Sequence, residues 1–393
     1  MTNNNGAATP TTDGGPVQEH ISADEIALYD RQIRLWGVQA QENIRKANIL
    51  LISFKALANE VAKNLVLAGI GSLTVADHEV VTAEDLAAQF CVSGDDVGKN
   101  RAEAAVPYLQ ELNPRVKISV STVPISDQLD KDPTGAFLAP YDVVIATSLP
   151  YLVLKALNTA TRKQNKPFYA AAVHGYMGFI FADLISHTFV IERKKGNVPT
   201  VLAPETPTRD IVAATTKREN GQVKEFVTKR ERYVPLDVAV TAPLPAFVKA
   251  SSRRVRQVPS LLPMLRALFA FEVECGRVPA RRIFDDSEHE DVVNYRRLVN
   301  REIAVLGLNL DAVHNGVDAG MLLDCLDAEL APVTAILGGQ LAQDIINVLS
   351  KREQPIQNLL LFDGDTYSAP IYPMHPEQPA LKPTESVVLD LDD

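Results

Sequence analysis

The chain has little of what several functional classes require. Its 393 residues include three cysteines, Cys91, Cys275 and Cys325, far apart and without a CxxC pair. That spacing speaks against a zinc knuckle or a disulfide framework and leaves reduced, buried thiols. No apolar run approaches the roughly 18 to 20 residues that cross a bilayer, and the opening MTNNNGAATPTTDGGPVQEH lacks the charged-then-apolar order of a signal peptide. An intracellular protein is expected. Basic charge is short as well: 39 Lys and Arg against 49 Asp and Glu give a net charge of -10, the wrong sign for a general nucleic-acid binder, so proteins are the expected partners. The histidines are scattered, and His289, Glu290 and Asp291 are adjacent residues that would point in different directions on a helix; they read as a solvated face, not a metal site.

A local absence is more informative. Residues 47–79, ANILLISFKALANEVAKNLVLAGIGSLTVADHE, run strand, tight turn, helix, strand, acidic residue, the layout of a nucleotide-binding βαβ unit. Such a turn carries glycines for the bend, for amide approach to phosphate and for close helix packing. Here the three positions are Ser53, Lys55 and Ala58. Alanine still permits close packing at the third; serine and lysine do not replace the first two. Asp77, at the end of the second strand, stands where a carboxylate would bind ribose hydroxyls, and equally where one would cap a turn.

What is present is a core. Hydrophobic residues make up 46% of the chain, and strand-like runs at 48–53, 72–77, 116–123 and 141–148 alternate with helical periods to about Ala68 and over about 97–112. Runs buried on both faces and separated by helices predict an α/β fold with a mostly parallel sheet. Further strands are expected in PFYAAAVHGYMGFIFADL and HTFVIE, and a strand pair around an Asp-Gly turn in NLLLFDGDTYSAPIY. Ser22 with Glu25 is a capping-box signature for a short helix carrying Tyr29 to Trp36. The 331–353 segment reads as a helix apolar almost all round, suited to the core or an obligate interface. These patterns divide the chain into a disordered tail over 1–20, a first α/β part over 21–193, a flexible and helical insertion over 194–325, a closing part over 326–375 and an acidic tail over 376–393. Within the insertion, residues 194–234 are rich in charge, Pro and Thr and read as a mobile, irregular segment.

The segments YDRQIRLWG, the glycine-less turn, NLVLAGIGSLTVADHEVVTAED, AQF, VGKNRAEAAVPYLQELNP and LFDG together resemble the activating enzymes of ubiquitin-like proteins. The resemblance covers most of the chain outside its tails and the charged segment. It implies a Rossmann-like, ThiF-type adenylation fold and a heterodimer of two related adenylation domains, one performing ATP chemistry and one inactive. This chain resembles the inactive one, on the SUMO-activating branch. Where the active pattern has Asn, Arg and Lys contacts to ATP, this sequence has Asp85, Ala88 and Arg101, and where it has an Asp that helps hold magnesium, the alignment falls at or next to Leu149, which cannot ligate a hard cation. The resemblance therefore implies no cofactor in this chain's own site, with ATP and Mg2+ held by the partner.

By the same resemblance Arg31 in YDRQ is donated into the partner's ATP site, where a fixed, charged fork suits triphosphate oxygens. The competing reading is an ion pair to Asp30 or Glu25, and Arg34 is the weaker candidate. Cys275 lacks a basic neighbour that would make it a nucleophile. The implied partners are the catalytic subunit, SUMO and, indirectly, the conjugating enzyme; the implied location is the nucleus. The tail TESVVLDLDD, with Val387, Val388, Leu389 and Leu391 among acids, is similar to a strand that adds to the edge of SUMO, and also reads as a solvated acidic tail or a closing strand. The alternatives are the inactive subunit of the neddylation enzyme, a self-sufficient adenylyltransferase for a sulfur-carrier protein, which would need the turn glycines and the Asp at 149, and an NAD-dependent oxidoreductase, which needs GxGxxG more strictly still.

Overall fold

The computed structural model describes residues 22–219, 221–280, 289–309 and 321–376. The N-terminal tail and the Val387, Val388, Leu389 and Leu391 motif lie outside the described residues.

Eleven strands are described, and eight of them form one sheet in the order β11-β10-β6-β5-β4-β1-β2-β3. Its parallel half comprises β1 (Asn48–Ile52), β2 (Ser72–Ala76), β3 (Lys117–Ser121), β4 (Val143–Thr147) and β5 (Phe168–His174). The antiparallel half adds β6 (Met177–Asp183), β10 (Leu359–Asp363) and β11 (Ile371–Tyr372). The order in which strands are added reverses at β1, with β2 and β3 on one side and β4 and β5 on the other, which opens a crevice over the C-terminal ends of β1 and β4. Alternate residues of each strand feed two cores. Ile49, Leu51, Val143 and Ile145 pack under α3 (Val38–Lys46), α4 (Ala56–Ala68), α5 (Arg101–Leu112) and α14 (Ala331–Ser350). Leu50, Ile52, Val144 and Ala146 face α6 (Ile125–Lys131), α7 (Tyr151–Lys163), α8 (Leu236–Thr241), α11 (Leu261–Cys275) and α12 (Glu290–Leu306). Between these run α1 (Ala23–Leu28), α2 (Asp30–Trp36), the short α9 (Ala246–Lys249), α10 (Ser252–Arg256) and α13 (Met321–Asp324).

The α/β reading with a mostly parallel five-stranded half holds, and the apolar 331–350 helix is largely buried. A Cβ on Gly338 would lie 2.5 Å from the Glu60 Cβ, so only glycine lets α14 approach α4 this closely. Boundaries moved for local reasons. The helix read from about 97 begins at Arg101, because the Asn100 side chain caps it by accepting from the Glu103 N–H at 3.0 Å. The N-terminal helix divides at Tyr29 into α1 and α2, and its capping box is present.

The larger correction concerns 194–234. Its second half is regular: after the non-repetitive stretch 195–208, β8 (Arg209–Glu219) and β9 (Gln222–Arg232) join β7 (Ser186–Lys194) in a separate antiparallel sheet of order β7-β9-β8. Its charges are the ladder. Arg193 meets Glu225 at 2.8 Å, and Arg209 meets Glu231 across the strands, as Arg232 meets Asp210. Opposite charges facing each other across a pair stabilise a ribbon that has little core to bury.

Candidate functional site

The turn after β1 keeps the geometry of a glycine turn without the glycines. Ser53 sits at φ 66°, in the left-handed region, and Ala58 is fully buried against the sheet where a small residue is required. Asp77, at the end of β2, is buried and committed to the chain itself. One of its oxygens accepts the Phe54 N–H at 2.7 Å and an Arg101 N–H at 2.8 Å, and the other accepts the Glu79 N–H at 2.9 Å. Its turn-capping role is thus directly visible.

Arg101 turns inward, 3% exposed, and reaches Glu79 at 3.1 Å and Asp85 at 3.3 Å as well. Burial works against its charge, and Asp77 and Asp85 more than offset this, so the guanidinium is held above its ordinary pKa. Asp85 also accepts from Thr82 and Gln89, which places it in the same network. Ala88, just beyond the short turn Asp85–Ala87, carries no polar group toward it.

The crevice above these residues is lined by Ser53, Lys55, Asp77, His78, Glu79 and Leu149 among others. Past Leu149 it continues into a small recess bordered by Ser148, His174, Glu272 and Asp327. His174 is buried, burial holds its pKa down at about 4, and its Nδ1 has no partner among the described residues. Glu272, also buried, is pushed up to about 7 by burial, against the backbone N–H groups of Tyr151 and Leu152 at the start of α7.

Sequence reasoning missed Glu329. Its carboxylate accepts the N–H groups of Ala56 at 2.7 Å and Leu57 at 3.0 Å, the first amides of α4. Nothing local in LDAELAP signals this role, since the contact joins residues more than 270 positions apart.

Tested against ATP, this crevice does not fit. The helix start that would hold phosphate is taken by a carboxylate, Asp77 is paired, and the Leu149 position offers no oxygen to a metal. Among the described residues no cluster of His, Cys, Asp and Glu has a metal-binding arrangement. His289 instead caps α12, and Asp291 holds Arg277 in a fork with both contacts at 2.7 Å, a more structured role than a solvated face. Cys91 is buried and pushed up to about 12, chiefly by burial, whereas Cys275 is exposed at the end of α11.

Arg31 lies elsewhere, exposed on α2. Neither competing partner holds it: Asp30 pairs with Arg34 at 2.9 Å, and Glu25 pairs with Arg45 at 3.1 Å. The helix beneath it is fixed with care. Tyr29 is buried, and a Cβ on Gly69 would lie 2.5 Å from its ring. Asn113 donates to the Tyr29 hydroxyl at 2.8 Å and to the Val66 carbonyl at 2.9 Å; Gln32 donates to the Leu67 carbonyl at 3.2 Å. Gln41 donates to the Ala68 carbonyl at 3.0 Å and accepts from the Trp36 indole at 2.9 Å. Three side chains thus donate to three successive carbonyls in the last turn of α4, where a helix runs short of N–H partners, and the Val66 carbonyl also accepts the Gly69 N–H at 3.0 Å.

The pattern of the ThiF family matches residues 29–382. The DNA damage tolerance protein RHC31 of Saccharomyces cerevisiae is 35% identical over 366 residues, covering 90% of this chain and 98% of that protein. SUMO-activating enzyme subunit 1 of Homo sapiens is 34% identical over 344 residues, covering 88% and 93%. Among solved structures, a selenomethionine form of PaaA aligns with a TM-score of 0.50 at 11% identity over 92% of this chain and 78% of that one, a likeness of fold.

Proposed function

The chain belongs to the ThiF family, and from that premise we propose that it is the non-catalytic subunit of a heterodimeric SUMO-activating enzyme. Relatives bearing the name SUMO-activating enzyme subunit 1 match it along nearly their whole length, which favours this reading over the neddylation subunit. In the proposed cycle the catalytic partner binds ATP and Mg2+ and joins AMP to the C-terminal carboxylate of SUMO, releasing pyrophosphate. The partner's cysteine thiolate then attacks the acyl adenylate, forming a thioester and releasing AMP, and the acyl group passes by thioester exchange to a cysteine of the conjugating enzyme. This chain supplies half of the dimer and one group for the chemistry, Arg31. Nuclear residence goes with that role.

The observation that carries the proposal is the contrast between two arginines. Arg101, at the former ATP contact, is buried on three carboxylates; Arg31 is exposed, without an ion pair among the described residues, on a helix anchored by Tyr29, Gln32 and Gln41. An unpaired guanidinium carried on an anchored helix suits phosphate oxygens arriving from another chain. The test is affinity capture of the stoichiometric partner from native extract, followed by ATP–pyrophosphate exchange on the pair with SUMO. Capture of a partner with an intact GxGxxG turn and a catalytic cysteine is expected; absence of any such partner would overturn the proposal.

A further inference from the structure

The crevice at the end of β1 and β2 keeps the outline of a nucleotide site, and the chain's own groups stand where a ligand's would. A helix start holds an anion through its first free N–H groups and its positive end. At α4 these are the amides of Ala56 and Leu57, and each meets a different oxygen of the Glu329 carboxylate, at 2.7 and 3.0 Å. Lys55, the residue before the helix, faces the same crevice and adds positive charge. At the ribose end, Asp77 takes its hydrogen bonds from Arg101, Phe54 and Glu79, where hydroxyl donors would sit.

We propose that this cleft is self-ligated: the Glu329 carboxylate is a permanent surrogate for a phosphate at α4, Arg101 is a permanent surrogate for the ribose donors on Asp77, and removing the Glu329 carboxylate uncovers a latent phosphate-binding site. The inference deepens the reading of this chain as the half that binds no nucleotide, and rests on it.

The placement of Glu329 is built in. Gly175, in the turn between β5 and β6, donates to the Ala328 carbonyl at 2.7 Å and forms a bridge with Glu329, clamping the segment between α13 and α14 over the C-terminal end of β5. A carboxylate delivered by the chain gives up no translational freedom on binding, so a dissolved anion competes with it at a large disadvantage.

The test uses the full chain and inorganic pyrophosphate, which carries phosphate chemistry without base or ribose. Thermal melting and the amide resonances of Ala56 and Leu57 are read for the wild type and for Glu329→Ala. The wild type should show no amide shift and no gain in Tm at about 10 mM pyrophosphate, whereas Glu329→Ala should melt lower, regain much of the loss with pyrophosphate and show shifts at both amides. Shifts in the wild type, or a folded Glu329→Ala without rescue, would overturn the proposal. If the alanine variant does not fold, Glu329→Gln keeps the shape and loses the charge: shifts in it alone support self-ligation, and their absence rejects it. Failure here with Arg31 dependence of SUMO adenylation intact would overturn self-ligation only. The reverse result would overturn only the donation of Arg31.

Discussion

A group that stabilises developing charge on phosphate acts through its position, so the two arginines differ in what their loss should do. Arg31→Ala should leave the heterodimer assembled and slow SUMO adenylate formation by at least about tenfold, a floor set below the roughly hundredfold or more that such contacts contribute. Arg31→Lys should recover only part of this, because an ammonium cannot reproduce the planar fork. Adenylate formation at the wild-type rate in Arg31→Ala would remove the donated-arginine role. Buried acids give a second prediction at this scale. The folded pKa of Glu272, about 7, lies above its ordinary value of 4.5, so its contribution to stability is full below about pH 4.5 and is lost as pH rises through 7. His174 and His187 are held down at about 4 by burial, so their effects run the other way and end near pH 6.5. Between pH 6.5 and 8, therefore, the wild type should lose about 0.5–1 kcal/mol relative to Glu272→Gln. Parallel pH profiles for the two proteins in denaturant titrations would exclude it.

Helix α4 ties the degenerate cleft to the arginine. Its start is closed by Glu329, and its last carbonyls receive Asn113, Gln32 and Gln41, which hold α2. On the proposed reading, the helix that follows the glycine-less turn serves as the pedestal for Arg31. Gly69 is its weak point, because alanine there meets the Tyr29 ring and must adopt φ 79°. Gly69→Ala should cost about 1–2 kcal/mol from the backbone alone and slow adenylate formation by displacing α2. An unchanged melting temperature and rate would show that α4 does not position the arginine. The periodicity of α4 and the YDRQ segment were legible in the sequence, but their connection was not, since side chains of Asn113 and Glu329 complete it from distant segments. The β8–β9 hairpin, by contrast, was legible and misread. Asn220-Gly221 between alternating stretches is a strong hairpin signal, and the abundance of charge obscured it because the charges pair across strands instead of facing solvent alone.

For the molecule as a whole, the parallel half of the sheet was readable because runs such as NILLI and VVIAT are buried on both faces, whatever the site above them does. The proposed loss of nucleotide binding is legible in the sequence only as missing groups, while the structure adds the chain's own contacts at those positions. That addition decides what repair would require. Glycines at positions 53, 55 and 58 would relax Ser53 from its left-handed conformation and free the approach to the α4 amides. Those amides would still meet Glu329, Asp77 would still be paired with Arg101, and Leu149 would still offer no metal ligand. Each of the three obstacles acts at a different part of a nucleotide, so removing one leaves the others in force. The chain alone should therefore show no ATP–pyrophosphate exchange, and neither should the variant carrying all three glycines; exchange by either protein without a partner would mean that its own cleft still performs the chemistry.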